Sequence, residues 1–384
     1  MSELKKLPLD ALHRELGGKM VPFAGYEMPV QYPAGVKAEH LHTRARAGLF
    51  DVSHMGQGWL TSIHGTGTDT AHVMVADLIE TRVPGEIRKL GRGRIRYTVL
   101  LSDEGGILDD LMITRPAADE DQGRLFIVVN AAVKDQDFAL MREKLTDGEL
   151  VVLEDRALLA LQGPEAAAVL SEIIPEAADM PFMSMMDAHF DGLPIILSRC
   201  GYTGEDGFEL SVPAEEAEGV ARRLLEFDAV EPIGLGARDS LRLEAGLCLY
   251  GHDMSGAESP VEASIQFAMG KRRREEGGFP GYDRIARELA EGAHKVRVGI
   301  KPDGRAPARE GVPIQSTDGH PIGVVTSGGF GPTYDGPLAM GYVAATHAAP
   351  GTQIELLIRG KAQPATVVEL PFVPQRYYRG KKSA

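Results

Sequence analysis

The sequence predicts an α+β protein that ends in a small all-β domain. Three observations carry this reading. First, three strand-forming runs, Tyr97 to Leu101, Asp109 to Thr114 and Arg124 to Asn130, precede a helical pattern over Val133 to Leu145. Second, hairpin strands and crossing helices continue to about residue 245, a mixture that fits α+β lobes better than a doubly wound parallel sheet. Third, the character changes after about residue 270, where short β-rich runs alternate with Gly, Pro and Asp turns.

Each element has a local reason. Leu4 to Leu16 carries apolar residues at helical spacing and stops at Gly17-Gly18. Lys19 to Tyr26 reads as a loop or short strand. Glu39 to Arg46 predicts a helix with a basic face, and Gly48 to Met55 a strand ending in polar groups. Thr68 to Ile79 is an amphipathic helix capped by Thr66 or Thr68. Leu150 to Leu153 and Ala157 to Gln162 are strands, and Gly163-Pro164 starts a helix near Glu165. Ile195 to Leu197 leads through a Gly-rich turn to Phe208-Glu209-Leu210, with helices at Ala214 to Glu226 and Leu235 to Ala245. Lys271 to Gly278 reads as an exposed connector. The runs 296–300, 314–315, 322–327, 339–343, 353–358 and 365–368 then suggest a small barrel or sandwich.

At 384 residues the chain exceeds one ordinary core, so two or three domains are expected. Its 43% hydrophobic and 25% charged residues are those of a soluble globular protein, and no apolar run is long enough to cross a bilayer. A net charge of −14 argues against non-specific nucleic-acid binding. Neither a nucleic-acid nor a membrane partner is therefore expected. Two cysteines, Cys200 and Cys248, make no disulfide framework, and no Cys/His set has zinc spacing, so no metal is expected. Met1 to Lys6 lacks the apolar core of a secretory signal and the Arg/Ser-rich character of a transit peptide, which points to the cytoplasm.

Gly105-Gly106-Ile107-Leu108-Asp109-Asp110-Leu111-Met112 stands apart from the rest of the chain. Gly105-Gly106 suits a hairpin turn, and the two acids start the next strand on opposite faces. An acid on a buried face stays charged only if a polar group meets it there. The competing reading is one solvated turn acid and one capping acid. Glu209 is a second acid in an apolar run. It suits a planar ligand with two parallel N–H donors, such as a guanidine or a 2-amino-4-oxo pyrimidine ring; otherwise it is a strand-edge partner of Lys or Arg. Arg238, at a helix start, could clamp a carboxylate or make ordinary surface pairs. The stretch from Gly201 to Gly207 is no phosphate loop, since no Gly-Lys-Ser/Thr ending follows. Ser53 and His54 are adjacent, but there is no nucleophile elbow. Lys271 to Arg274 reads as a solvated face, or as a basic patch for an acidic partner.

Seven segments in chain order resemble one family. They are Phe23 to Tyr32, Leu49 to Met55, Gly105 to Leu111, Leu161 to Pro164, Arg199 to Glu209, Ala237 to Gly251 and Pro371 to Pro374, and the likeness runs from about residue 7 to 380. The chain resembles the aminomethyltransferases, the T-proteins of the glycine cleavage system. The resemblance implies a three-lobed clover-leaf. Two antiparallel-sheet and helix lobes form a folate-binding region over residues 1–275, the second lobe inserted at about 52–145, and a C-terminal β-barrel covers residues 290–384. It further implies tetrahydrofolate as co-substrate, no metal or flavin, and lipoylated H-protein of the glycine cleavage complex as partner. The products would be 5,10-methylene-tetrahydrofolate, ammonia and dihydrolipoyl H-protein.

By position, the resemblance makes Asp110 the catalytic acid, ionised beside the reacting nitrogens, and Glu209 the pterin-binding acid. Arg238 and Tyr377 fall on further folate contacts, and Tyr97, Met55, Asn130 and Tyr202 near the pocket. Where bacterial members often carry a Tyr soon after the Asp pair, this chain has Arg115. Two alternatives belong beside this reading. One is a relative acting on another one-carbon donor: a tetrahydrofolate-dependent demethylase, or the folate domain of dimethylglycine or sarcosine oxidoreductases, whose added flavin domain is missing from this sequence. The other is a non-catalytic folate-binding scaffold, of a kind that tends to lose the Asp pair.

Overall fold

The computed structural model describes residues 4–380; Met1 to Glu3, part of the basis for the cytoplasmic expectation, and residues 381–384 lie outside it. The chain opens with helix α1 (Asp10–Glu15) and the hairpin β1 (Lys19–Phe23) and β2 (Tyr26–Gln31). The helix expected from Leu4 is shorter than its apolar spacing suggests. Lys5 instead exchanges backbone hydrogen bonds with the hairpin, from Lys5 N to Gly25 O at 3.0 Å and from Glu27 N to Lys5 O at 2.9 Å. Pro8, with no N–H of its own, fits the turn before α1.

Helix α2 (Val36–Ala45) leads into β3 (Ala47–Asp51). The expected basic face of α2 turns inward: Glu39, His40 and Arg44 are buried. The chain then leaves this lobe for β4 (Gly56–Ser62), α3 (Asp69–Glu80), β5 (Arg94–Leu101), β6 (Ile107–Arg115), β7 (Arg124–Val129), α4 (Lys134–Lys144) and β8 (Gly148–Val152). Thr68 caps α3, its hydroxyl accepting from Ala71 N at 3.0 Å. The chain returns through β9 (Arg156–Gln162), α5 (Ala166–Ser171), β10 (Ser184–Phe190), β11 (Leu193–Arg199), β12 (Gly207–Pro213), α6 (Ala217–Leu225), β13 (Val230–Pro232) and α7 (Leu235–Glu244).

These strands form one sheet in the order β13-β3-β9-β12-β11-β10-β5-β6-β7-β4-β8. All neighbours are antiparallel except β13 and β3. The two halves meet at a single pairing, Ser184 with Arg94 between β10 and β5. Each half has its own apolar core, one around Leu159, Phe208 and Leu224, the other around Val75, Ile113 and Met141. A short ladder between two cores marks two lobes, which a third apolar cluster of Phe50, Leu158, Ile95 and Phe126 joins.

Lys271 to Arg274 is not the exposed connector that its charge predicts. It forms helix α8 (Lys271–Glu276). Arg273 is buried, and Arg272 bonds to Glu80 and Glu86 of the second lobe and to Glu276. Of the four basic residues, two therefore tie α8 to its neighbours. After α9 (Tyr282–Glu291) come β14 (Lys295–Pro302), β15 (Pro313–Ser316), β16 (Pro321–Gly331), β17 (Gly336–Ala344), β18 (Gln353–Ile358) and β19 (Lys361–Val368). They close as a barrel, β14-β17-β16-β15-β18-β19, around Ile300, Val325 and Leu356. The chain is thus α+β, with two sheet-and-helix lobes and a third, all-β lobe. The tail then runs back to the first lobe, where Arg376 N donates to Gly204 O at 2.8 Å.

Candidate active site

The hairpin of β5 and β6 places the Asp pair. The chain turns at Ser102 to Gly106, closed by a bond from Ser102 N to Gly106 O at 2.9 Å, with Gly105 at φ +80°. Gly106 has a further reason to be glycine: a Cβ there would lie 1.8 Å from Gly256 O. A β-bulge at Leu100/Leu101 follows, after which Leu100 pairs with Asp109 and Val99 with Asp110. On the other side, Leu111 pairs with Val129, so Asn130 emerges at the end of β7 beside Asp110.

Asp109 is the acid on the buried face, at 0% exposure, and Asn130 is the polar group that meets it. Asn130 N donates to Asp109 Oδ2 at 3.0 Å. Its side-chain Nδ2 donates to Asp109 Oδ1 at 2.9 Å, to Asp110 Oδ1 at 2.8 Å and to Asp110 O at 3.1 Å. Asp110 is half-buried, and the Tyr97 hydroxyl lies against its carboxylate. Neither acid is the solvated turn residue of the competing reading. Burial, with the neighbouring Asp109 charge, pushes Asp110 up to about 8. Both effects work against the charged form of Asp110. The Tyr97 ring stacks on Phe267 with centroids 5.6 Å apart, and Phe267 is 69% exposed.

Glu209 lies on β12, an interior strand between β9 and β11, so it is no strand-edge residue. The Cys200 thiol donates to its Oε2 at 3.3 Å. Burial raises Glu209, and the Arg238 charge opposes the shift. Arg238 sits in the first turns of α7 with its guanidinium over the Tyr202 ring, 4.9 Å from the centroid. Its Nη1 is buried without a hydrogen-bond partner. A buried guanidinium nitrogen left free beside a half-buried carboxylate is a donor waiting for an acceptor. The Tyr202 hydroxyl donates to Cys248 O, and the charges of Asp110 and Arg238 both act on it, so Tyr202 links the two carboxylate centres. Tyr377 stacks on Phe182, centroids 3.9 Å apart at 8°. Met55 and Phe182 pack against one apolar cluster, and Met55 immediately precedes Gly56, the partner of Val129 next to Asn130.

The structure thus brings Asp110, Asn130, Tyr97 and Tyr202 together, with Glu209 and Arg238 on the far side of Tyr202. Arg115 is elsewhere. It is buried and bonds to Gln122 Oε1 at 2.6 Å, to Leu90 O at 2.9 Å and to Asp69, so it anchors its lobe and presents no face to the acids. On the same helix Arg242 is buried and bonds to the buried Asp253 as well as to the exposed Asp239. Ser53 and His54 make no hydrolase: the Ser53 hydroxyl is held by the Leu158 backbone, and burial pushes His54 down to about 3. Among the described residues, no cluster of three or more His, Cys, Asp or Glu could hold a metal ion. No helix there is long and apolar enough to cross a membrane.

One residue escaped the sequence reading. Asp137 on α4 is 0% exposed and faces Asp109. Its spacing was the available signal, because it shares a helix face with Phe138, Met141 and Leu145, all buried.

Residues 9–273 match the family profile described as the GCVT N-terminal domain, and residues 295–374 match the glycine cleavage T-protein C-terminal barrel domain. The chain belongs to the glycine cleavage T-protein family. The mitochondrial aminomethyltransferase of Dictyostelium discoideum is 44% identical, over 98% of this chain and 94% of the relative. That of Gallus gallus is 43% identical, over 98% and 95%. The crystal structure of the glycine cleavage system aminomethyltransferase T from Bartonella henselae superposes with a TM-score of 0.90 at 42% identity, over 98% of this chain and 99% of that one. T-protein membership makes the chain an enzyme of the aminomethyltransferase class, acting in glycine cleavage. The Asp pair, Glu209 and Arg238 all fall inside the N-terminal T-protein domain.

Proposed function

We propose that the enzyme moves the aminomethyl carbon of lipoylated H-protein onto tetrahydrofolate. The products are 5,10-methylene-tetrahydrofolate, ammonia and dihydrolipoyl H-protein. The observation that carries this is the Asn130 amide holding both Asp109 and Asp110, with Tyr97 against Asp110.

The residues fit a folate. Glu209 offers two carboxylate oxygens to the paired N–H donors of a pterin ring. Arg238 has the unpartnered Nη1. Tyr377, Tyr202 and Met55 provide aromatic and apolar surface. When bound, folate supplies the nitrogens that accept the carbon. Asp110 acts on protons. Its raised pKa, near working pH, lets it take a proton as positive charge develops at the reacting nitrogens and give it back to the leaving amine. Once ionised it also stabilises that charge electrostatically. Asn130 fixes the carboxyl against rotation, and Tyr97 holds its outer side. We take the second lobe as the insertion at about 52–145 and the barrel as residues 290–384.

The quoted relatives are named mitochondrial, which lends no support to a cytoplasmic location for this chain. The decisive experiment measures methylene-tetrahydrofolate formation from aminomethyl-loaded H-protein, with the wild type and Asp110→Ala side by side. Turnover that collapses in the variant supports the reaction and its acid. A wild type that binds folate but turns over only methylated donors, without H-protein, is a demethylase instead.

A further inference from the structure

Asp137 has no part in the mechanism above. Its side chain is 0% exposed, and neither carboxyl oxygen meets an N–H or hydroxyl donor among the described residues. What it meets is the carboxyl of Asp109. Asp109 already spends both oxygens on Asn130. A hydrogen bond between two carboxyl groups requires that one of them carry a proton.

The groups around the chain of acids decide which. Asp110 and Asp109 come from β6, Tyr97 from β5, and Tyr250 from the loop after α7. Lys134 lies one turn away on α4, but its ammonium donates to the Tyr26 hydroxyl at 2.7 Å and to His54 O at 2.9 Å. Among the described residues no cation acts on Asp137. Two buried carboxyls in contact, with the half-buried Asp110 bridged to Asp109 by Asn130, cannot all ionise.

We propose that Asp137 is a positioning residue, holding the proton of an Asp137–Asp109 hydrogen bond and so keeping Asp109 an anion beside Asp110. Burial and the Asp109 charge both push Asp137 up, in the direction of a retained proton. The anionic Asp109 in turn keeps Asp110 high enough to exchange a proton near neutrality. That last step rests on the reading of Asp110 as the catalytic acid; the proton on Asp137 does not.

Infrared spectra of the wild type and of Asp137→Asn near neutral pH test the proton directly. The wild type should show the C=O stretch of a protonated carboxylic acid, and the variant should lose it. Turnover against pH tests the coupling. Asp137→Leu removes the donor to Asp109, which then takes up a proton, so the Asp110 midpoint should fall by roughly one unit or more. Asp137→Asn can still donate to Asp109 and should restore the wild-type midpoint. A wild type without the band, or a folded Asp137→Leu with an unmoved midpoint, overturns the proposal. If Asp137→Leu does not fold, the spectra of wild type and Asp137→Asn still decide. If the band behaves as expected while Asp110→Asn stays fully active, the catalytic reading fails and the proton assignment stands.

Discussion

Asn130 Nδ2 lies 2.9 Å from Asp109 Oδ1 and 2.8 Å from Asp110 Oδ1, so one amide nitrogen holds two carboxyl groups that leave opposite faces of the same strand. Its donation favours the ionised form of both acids. Asn130→Ala therefore raises the Asp110 pKa. The acidic limb of turnover should move to higher pH by about one unit, and turnover at neutrality should fall about 10-fold or more. A kcat profile against pH checks both; an unmoved limb would contradict the bridging role.

Asp110→Asn keeps the shape of the side chain and removes its proton chemistry. Folate affinity should stay within about tenfold, while most turnover is lost. Calorimetric titration with tetrahydrofolate and the methylene-tetrahydrofolate assay separate the two effects. An Asn variant of full activity would sink the catalytic assignment.

Glu209→Gln acts on binding. It replaces one of two acceptor oxygens with a donor and leaves Arg238 without its nearest carboxylate. Charge-assisted hydrogen bonds contribute about 1.5–3 kcal/mol, so folate should bind about 10- to 100-fold more weakly. Turnover at saturating folate should change far less. Loss of turnover at unchanged affinity would reverse the roles given to Glu209 and Asp110.

Gly106→Ala tests the close approach behind the turn. The added Cβ would sit 1.8 Å from Gly256 O, a backbone atom that cannot swing away. The backbone must shift, at a cost of about 1–3 kcal/mol or more. Thermal unfolding should show a lower Tm, and the displaced Asp pair should lower activity as well. An unchanged Tm would mean that the 256 loop gives way freely.

Glu244 makes stability depend on acid. It is buried at the end of α7, bonded to His40, Arg44 and the backbone N–H groups of Thr333 and Tyr334, and so joins the first lobe to the barrel. These partners outweigh burial and hold it down at about 2, against an ordinary 4.5. A depressed acid stabilises the fold above its unfolded value and loses that stability as pH falls. The contribution, roughly 3 kcal/mol, should be present above about pH 4.5 and disappear towards about pH 2. Denaturant unfolding across that window should show a slope that Glu244→Gln lacks.

Much of this was legible in the order of residues. The hairpin at Gly105-Gly106, the capped helix after Thr68 and the β-rich final lobe follow from turn chemistry, capping and period-two patterns, all of which are local. Glu209 stood out because an acid between Phe208 and Leu210 needs a reason. The misreadings share a cause. Lys271 to Arg274 looks solvated by charge alone, yet Arg272 pairs with the carboxylates of Glu80 and Glu86 and Arg273 with that of Glu80, from a lobe nearly two hundred residues earlier. Arg115 stood near the Asp pair in sequence, but alternation along β6 and the reach of its side chain carry it to Gln122 and Asp69.

The sequence by itself determined most of the element types, the α+β class and the family likeness, because propensity, periodicity and motif order are properties of neighbouring residues. Only the tertiary structure decided what surrounds Asp109 and Asp110. Asn130 arrives beside Asp110 through strand register, Asp137 reaches Asp109 from a separate helix, and Tyr202 brings the Arg238 centre within range across the lobe junction. A carboxyl's proton depends on burial and on charges within a few ångströms, and those distances exist only once the sheet has closed its two halves together.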